Sequence, residues 1–240
     1  MDLFGWLRRL TAPALDPIHR ARLAAWQRRP AVDRHRPFAA LRWVVVDVES
    51  SGLDVWHDRL ISIGAVALAG EVLALGDSLE VVLQQEEVSG TANILVHGIG
   101  GTAQRAGLPP PEALLRFLEY TGRDPLVAFH AAFDVIMIWR ALRDTLGLRW
   151  KPVVLDLADL LPALFPALGL RTLDEWLAYF SIDHYARHQA LSDAYATAQL
   201  MQVALARARE QGYGDLATLL RLARDQRALA RFGRAGIFVS

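Results

Sequence analysis

The chain has 240 residues, 53% of them hydrophobic, and its 26 Lys+Arg balance 26 Asp+Glu. That length is enough to bury a sizeable core, and the apolar content, with 22% charged residues, argues against wholesale disorder. The absence of cysteine excludes a disulfide scaffold, a thiolate-held metal and a thiol nucleophile, so any metal must be held by carboxylate or imidazole.

The zero net charge hides a split. Residues 1–42 hold nine arginines against Asp2, Asp16 and Asp33, a net of +6, which leaves the rest of the chain at −6. Within this stretch, Leu3, Phe4, Leu7 and Leu10 recur at helical spacing with Arg8 and Arg9 between them. Residues 1–40 are thus predicted to be a basic, partly helical arm, packed on its own domain or turned toward a membrane surface or a partner. Asp2, the interrupting arginines and the lack of a small-residue cleavage site do not fit a secretory signal, which places the expected location in the cytoplasm. The longest mainly apolar runs, Leu60 to Ala69 and Leu160 to Leu170, are too short to cross a bilayer.

From Leu41 the pattern turns to strands. Trp43 to Val48 is a β-branched run, and Leu60 to Leu68 and Val72 to Leu83 read as two more strands about a turn at Gly70. Together they predict an antiparallel meander. A helix over Pro111 to Tyr120, a strand over Leu126 to Phe129, a helix over Ala132 to Leu146 and a short strand over Val153 to Leu155 follow. Asp156 is placed to cap the next helix. Further helices are predicted at Thr172–Phe180, Gln189–Arg209 and Asp215–Arg231. The order implies an α/β fold, a mixed sheet covered by helices. One domain spans 41–210, and 211–240 form a C-terminal helix and tail packed on it or extending it.

Three sets of residues carry the chemistry. Asp47 and Glu49 stand two apart at the end of a very apolar strand, so both carboxylates project from one face. Side by side they repel unless a cation lies between them, and a hard divalent ion is the natural partner; a solvated strand end is the competing reading. Asp134 follows the apolar segment Leu126–Phe129 where a strand hands over to a helix. Among apolar neighbours its charge needs a partner, although a first-turn aspartate also suits a helix dipole. His188 lies five positions before Asp193, so an imidazole on the loop can meet a carboxylate on the helix; taken alone, the pair reads first as an ordinary loop histidine before a first-turn aspartate.

Taken together, these residues resemble the DEDDh 3′–5′ exonucleases, the group that includes the proofreading epsilon subunit of bacterial DNA polymerase III. Asp47-Val48-Glu49-Ser50-Ser51-Gly52-Leu53 is similar to that family's Asp-x-Glu-Thr-Thr-Gly-Leu. Val127-Ala128-Phe129-His130-Ala131-Ala132-Phe133-Asp134 is similar to Val-Ala-His-Asn-Ala-x-Phe-Asp, and His188 with Asp193 matches the histidine form of the third motif. Val96-His97-Gly98-Ile99 resembles a segment between the first two. Ser50-Ser51 in place of two threonines, Phe129-His130 in place of His-Asn, and Gly100 in place of a threonine are departures; none removes a ligand.

The resemblance implies a ribonuclease H-like fold and two divalent cations, Mg²⁺ or Mn²⁺, held by Asp47, Glu49, Asp134 and Asp193. Two such ions roughly 3.5–4 Å apart clamp a phosphodiester, and His188, with an unperturbed pKa near ~6.5, would take the proton of the attacking water. Ser51, Gly52 and Leu53 would contact the terminal nucleotide, with His97 and Phe133 lining the same pocket. For Trp56 and His57 an ordinary loop-packing role is the leading reading, with stacking on nucleic acid as the alternative. The implied activity is hydrolysis of single-stranded or frayed DNA 3′ ends to nucleoside 5′-monophosphates, in proofreading or repair. An exoribonuclease resembling oligoribonuclease is the alternative within the family. A non-catalytic subunit that binds a polymerase or clamp through the arm or tail is the alternative outside it.

Overall fold

The structure is a computed structural model that describes residues 15–183 and 188–235. Leu3, Phe4, Leu7 and Leu10, the helical pattern of the arm, lie outside the described residues.

The sheet has five strands: β1 (Arg42–Ser50), β2 (Leu60–Ala69), β3 (Val72–Val82), β4 (Leu126–Ala128) and β5 (Val154–Asp156). Their spatial order is β3-β2-β1-β4-β5. β1 pairs antiparallel with β2, and β2 with β3; β4 runs parallel to β1 and to β5. The predicted meander followed by parallel strands is therefore what forms. β2 is buried along its whole length except Ala69, as a strand covered on both faces should be.

Alternation along β1 sorts its side chains into two cores. Trp43 and Val45 join Val66, Leu68, Val127 and Leu155 on one face. That face is covered by α6 (Leu157–Leu164), α7 (Leu173–Tyr179), α8 (Ala190–Glu210) and α9 (Leu216–Ala235). Val44, Val46 and Val48 face the other way, against α4 (Pro110–Thr121) and α5 (Ala132–Leu146). Burying these large apolar side chains contributes on the order of 1.5–3 kcal/mol each.

Three helices had no counterpart in the sequence pattern. α1 (Pro17–Gln27) starts at Asp16, whose side chain accepts from His19 N, with Pro17 in its first turn. It buries Leu23 and Trp26 in the second core, Trp26 Nε1 donates to the Gly122 carbonyl at 2.8 Å, and Arg22 pairs with Glu112 and Glu119 of α4. α2 (Thr91–His97) and α3 (Gly101–Arg105) are too short to show an amphipathic period. Gly100, at the cap of α3, supplies no side-chain hydrogen bond. Among the described residues no helix is long and apolar enough to cross a membrane.

Candidate active site

The parity that sends Trp43 and Val45 toward α8 sends Asp47 and Glu49 the same way. Glu49 sits at the last regular position of the strand, since the β1–β2 register shifts between Glu49 and Ser50. The helix they face comes unusually close. Asp47 is registered opposite Gly64 of β2, and a Cβ on Gly64 would lie 2.2 Å from both the Ala190 carbonyl carbon and Leu191 N. Only a residue without a side chain lets the first turn of α8 rest on the sheet at this point. Asp193 lies in that turn, and Asp47, Glu49 and Asp193 consequently offer oxygens that all lie within 4.8 Å of one another.

Asp134 reaches the same region from the first turn of α5. It is 6% exposed, accepts hydrogen bonds from its own backbone and from that of Val48, and repels Asp47 and Glu49 electrostatically. Its helix has no cap of its own, because the cap position is Ala131. Asp156 does this work from the neighbouring strand. Registered beside Ala128, its Oδ1 accepts from His130 N and Ala158 N and its Oδ2 from Ala131 N, each at 3.0 Å. One carboxylate thus holds the start of α5 as well as that of α6. Arg227 of α9 then ties Asp156 (3.3 Å) to Asp159.

His188 is exposed, has φ +60° and donates its backbone N–H to Asp193 Oδ2 at 3.0 Å. His130, in the second motif, is likewise left-handed with φ +59°, a conformation that costs a non-glycine residue some strain. The departure from the motif at Phe129 and His130 leaves the ligand helix in place: Phe129 packs on the first core, and the His130 backbone is what Asp156 holds.

The loop after Glu49 is closed on itself. Ser51 N donates to the Arg59 carbonyl, Ser51 Oγ to Asp58 Oδ1, and Arg59 N to Ser51 Oγ. Gly52 lies so close to Asp58 that a Cβ would meet its carboxylate at 2.4 Å. Leu53 is 89% exposed, and Phe133 is half-buried against the second core. His97 is buried, its Nδ1 accepting from Ile99 N at 3.0 Å and its Nε2 lying 3.3 Å from Ser89 Oγ. Burial holds its pKa below the ordinary value.

The carboxylates are costly to ionise as they stand. Burial first, then Asp134, Asp193 and Glu49, pushes Asp47 well up. Burial followed by Asp193 pushes Glu49 up to about 7. Asp134 is raised mainly by burial and further by Asp156 and Glu49, against the pull of its backbone hydrogen bonds. Among the described residues no arginine, lysine or histidine is ion-paired with Asp47, Glu49 or Asp134. An all-oxygen, uncompensated donor set of this kind fits a hard divalent cation.

Gly64 and Asp156 do not stand out as parts of the site in the sequence. A glycine inside a strand is a recognised sign of close backbone approach, so the signal at Gly64 was present. Asp156 was expected as a cap for its own helix alone; its reach to residues 130 and 131 depends on a strand neighbour that local pattern does not reveal.

A mixed sheet with acidic residues gathered where its central strand ends, supplied from three separate segments, has a ribonuclease H-like architecture. The chain belongs to the RNase T-type exonuclease family, whose model, described as "Exonuclease", matches residues 44–201. That span contains all four acids and His188. The DNA polymerase III PolC-type of Clostridium perfringens is 30% identical over 175 residues, covering 70% of this chain and 12% of that protein. The Bacillus subtilis protein of the same description is 29% identical over 180 residues, covering 74% and 12%. The chain therefore spans only about an eighth of these relatives' length. Among solved structures, E. coli Exonuclease I in complex with a dT13 oligonucleotide has TM-score 0.61 at 18% identity, covering 71% of this chain and 42% of that one. Exonuclease X in complex with 5′ overhanging duplex DNA has TM-score 0.57 at 15% identity, covering 75% and 99%. The fold and the family are those of a 3′–5′ exonuclease, a hydrolase of nucleic acid.

Proposed function

We propose that this chain removes nucleotides from DNA 3′ ends as 5′-monophosphates, with two Mg²⁺ or Mn²⁺ ions held by Asp47, Glu49, Asp134 and Asp193. The observation that carries the reading is the gathering of buried and half-buried carboxylates with no cationic side chain among the described residues to neutralise Asp47, Glu49 or Asp134. When bound, the two cations neutralise the phosphodiester and make water a stronger nucleophile near neutral pH.

The residues of the chain do the rest. Asp47 and Glu49 present their oxygens from a strand fixed on both sides, and α8 brings Asp193 to them across Gly64. His188 holds Asp193 through its backbone N–H and keeps its ring exposed, where it accepts the proton of the attacking water. Ser51 and Gly52 bring backbone close to the terminal nucleotide, Leu53 wedges against its base, and Phe133 lines the pocket. His97 braces the pocket from behind through Ile99 and Ser89.

DNA is favoured as the substrate because the relatives are described as DNA polymerases and a solved neighbour holds dT13. That likeness also supports work beside a polymerase, in proofreading or repair, with a polymerase or clamp as partner. Parallel 3′-labelled single-stranded DNA and RNA in Mg²⁺ or Mn²⁺ test both substrate and reaction. Asp134→Ala is expected to lower the rate on the order of 10²–10³-fold or more. Undiminished degradation by that variant overturns the metal site, and faster degradation of RNA overturns the choice of DNA.

A further inference from the structure

Six of the chain's tryptophans lie in the described residues; four are buried, Trp139 is half-buried, and Trp56 is 63% exposed. No ring or cation contact involves the Trp56 indole among the described residues. It stands in the loop that leaves β1 just after Glu49, and that loop is fixed at every step. Asp58 accepts from Ser51 Oγ and from Asp54 N, and Asp54 accepts from the backbone of both Trp56 and His57. His57 Nδ1 sits 2.8 Å from Asp54 Oδ2, which turns that ring to loop structure. Val55 is packed into the second core, and Arg140 of α5 donates to the Val55 and Asp58 carbonyls that bracket Trp56.

Packing within the loop therefore does not explain Trp56. An apolar ring held out in water by a rigid backbone is costly alone, yet ready to stack because little freedom remains to be lost. Its location gives the partner. Arg140 lies six residues after Asp134 on the same helix, about 9 Å along its axis. That distance is spanned by two or three stacked nucleotides of one strand.

We infer that Trp56 is a stacking platform for a base of the bound single strand upstream of the terminal nucleotide. The assignment rests on the exonuclease reading above and adds a contact outside the pocket formed by Ser51, Gly52, Leu53 and Phe133. It makes affinity depend on strand length while leaving base identity unread, since every base offers a π-face.

The test compares a single-stranded DNA oligonucleotide with the p-nitrophenyl ester of thymidine 5′-monophosphate, which has no upstream base. Trp56→Ala is expected to raise KM for the oligonucleotide about tenfold with little change in kcat, to leave KM for the ester within about twofold, and Trp56→Phe to restore most of the loss. Val72→Ser, at the far end of the sheet and equally exposed, should change neither KM. An unchanged oligonucleotide KM in Trp56→Ala, an equal rise with the ester, or no rescue by phenylalanine overturns the platform. A wild-type chain that hydrolyses neither substrate overturns the exonuclease reading itself, and the platform with it.

Discussion

Glu49 and its neighbours bind protons more tightly in the folded chain than in the unfolded one, and the sign of the consequence follows. Between the ordinary value of 4.5 and about 7, folding takes up a proton at Glu49, so the metal-free protein loses stability as pH rises through that window. Asp47 and Asp134 are raised by burial too and push in the same direction. Thermal unfolding in EDTA should show Tm falling from pH 5 to pH 8, with a shallower fall in Glu49→Gln. Mn²⁺ should raise Tm more at pH 8 than at pH 5, because the ion competes with protons for the same oxygens. His188→Ala is expected to lower kcat by about 10²–10⁴-fold while Mn²⁺ binding, followed by calorimetry, stays intact; near-normal turnover would leave His188 a purely structural residue. At this scale the sequence was informative for a physical reason. Strand alternation alone puts Asp47 and Glu49 on one face, and an acid inside an apolar helix start marks Asp134. The burial of His97 was not legible, because nothing near it in sequence shows that Ser89 and Ile99 close over its ring.

The helices that carry ligands are seated by contacts a residue-by-residue reading passes over. Gly64 sets the height of α8 above β2, so Gly64→Ala forces the helix outward from the strand opposite Asp47. Such a displacement should cost about 1–3 kcal/mol in urea unfolding and weaken Mn²⁺ binding as well; a variant that loses stability with unaltered metal affinity would separate the helix seat from the site. Asp156 is the equivalent support for α5. In Asp156→Ala the N–H groups of His130, Ala131 and Ala158 lose their acceptor, which should cost about 3 kcal/mol. Regular elements with a long period, such as α8, and the β-branched run of β1 were readable because their burial pattern repeats. α1 was not, since its apolar face is set by Leu23 and Trp26 alone and is completed only against α4.

Across the whole molecule the charge split in the sequence resolves only in part into internal pairing: of the seven arginines among residues 15–42, Arg22 and Arg42 form ion pairs, while Arg20, Arg28, Arg29, Arg34 and Arg36 are exposed. Arg22 bridges Glu112 and Glu119, Arg42 bridges Asp77 and Asp124, and Arg123 lies over the Trp26 ring at 3.8 Å from its centroid. Trp26→Ala should therefore cost about 3–5 kcal/mol, measured by chemical denaturation, despite lying outside the family-matching span.

The two flanks of that span also meet each other. Ala217 N donates to the Arg34 carbonyl and Phe38 N to the Gly214 carbonyl, so the connector before β1 and the start of α9 form a clasp across the back of the first core. In the PolC-type relatives the matching segment is about an eighth of the whole protein; in this chain it is bounded by two flanking segments that pair with each other. Excising residues 44–201 alone would strip off the clasp, uncover the core face occupied by Leu216 and Leu219, and take Arg227 away from Asp156. Portability of this nuclease into another polypeptide thus requires its flanks to travel with it.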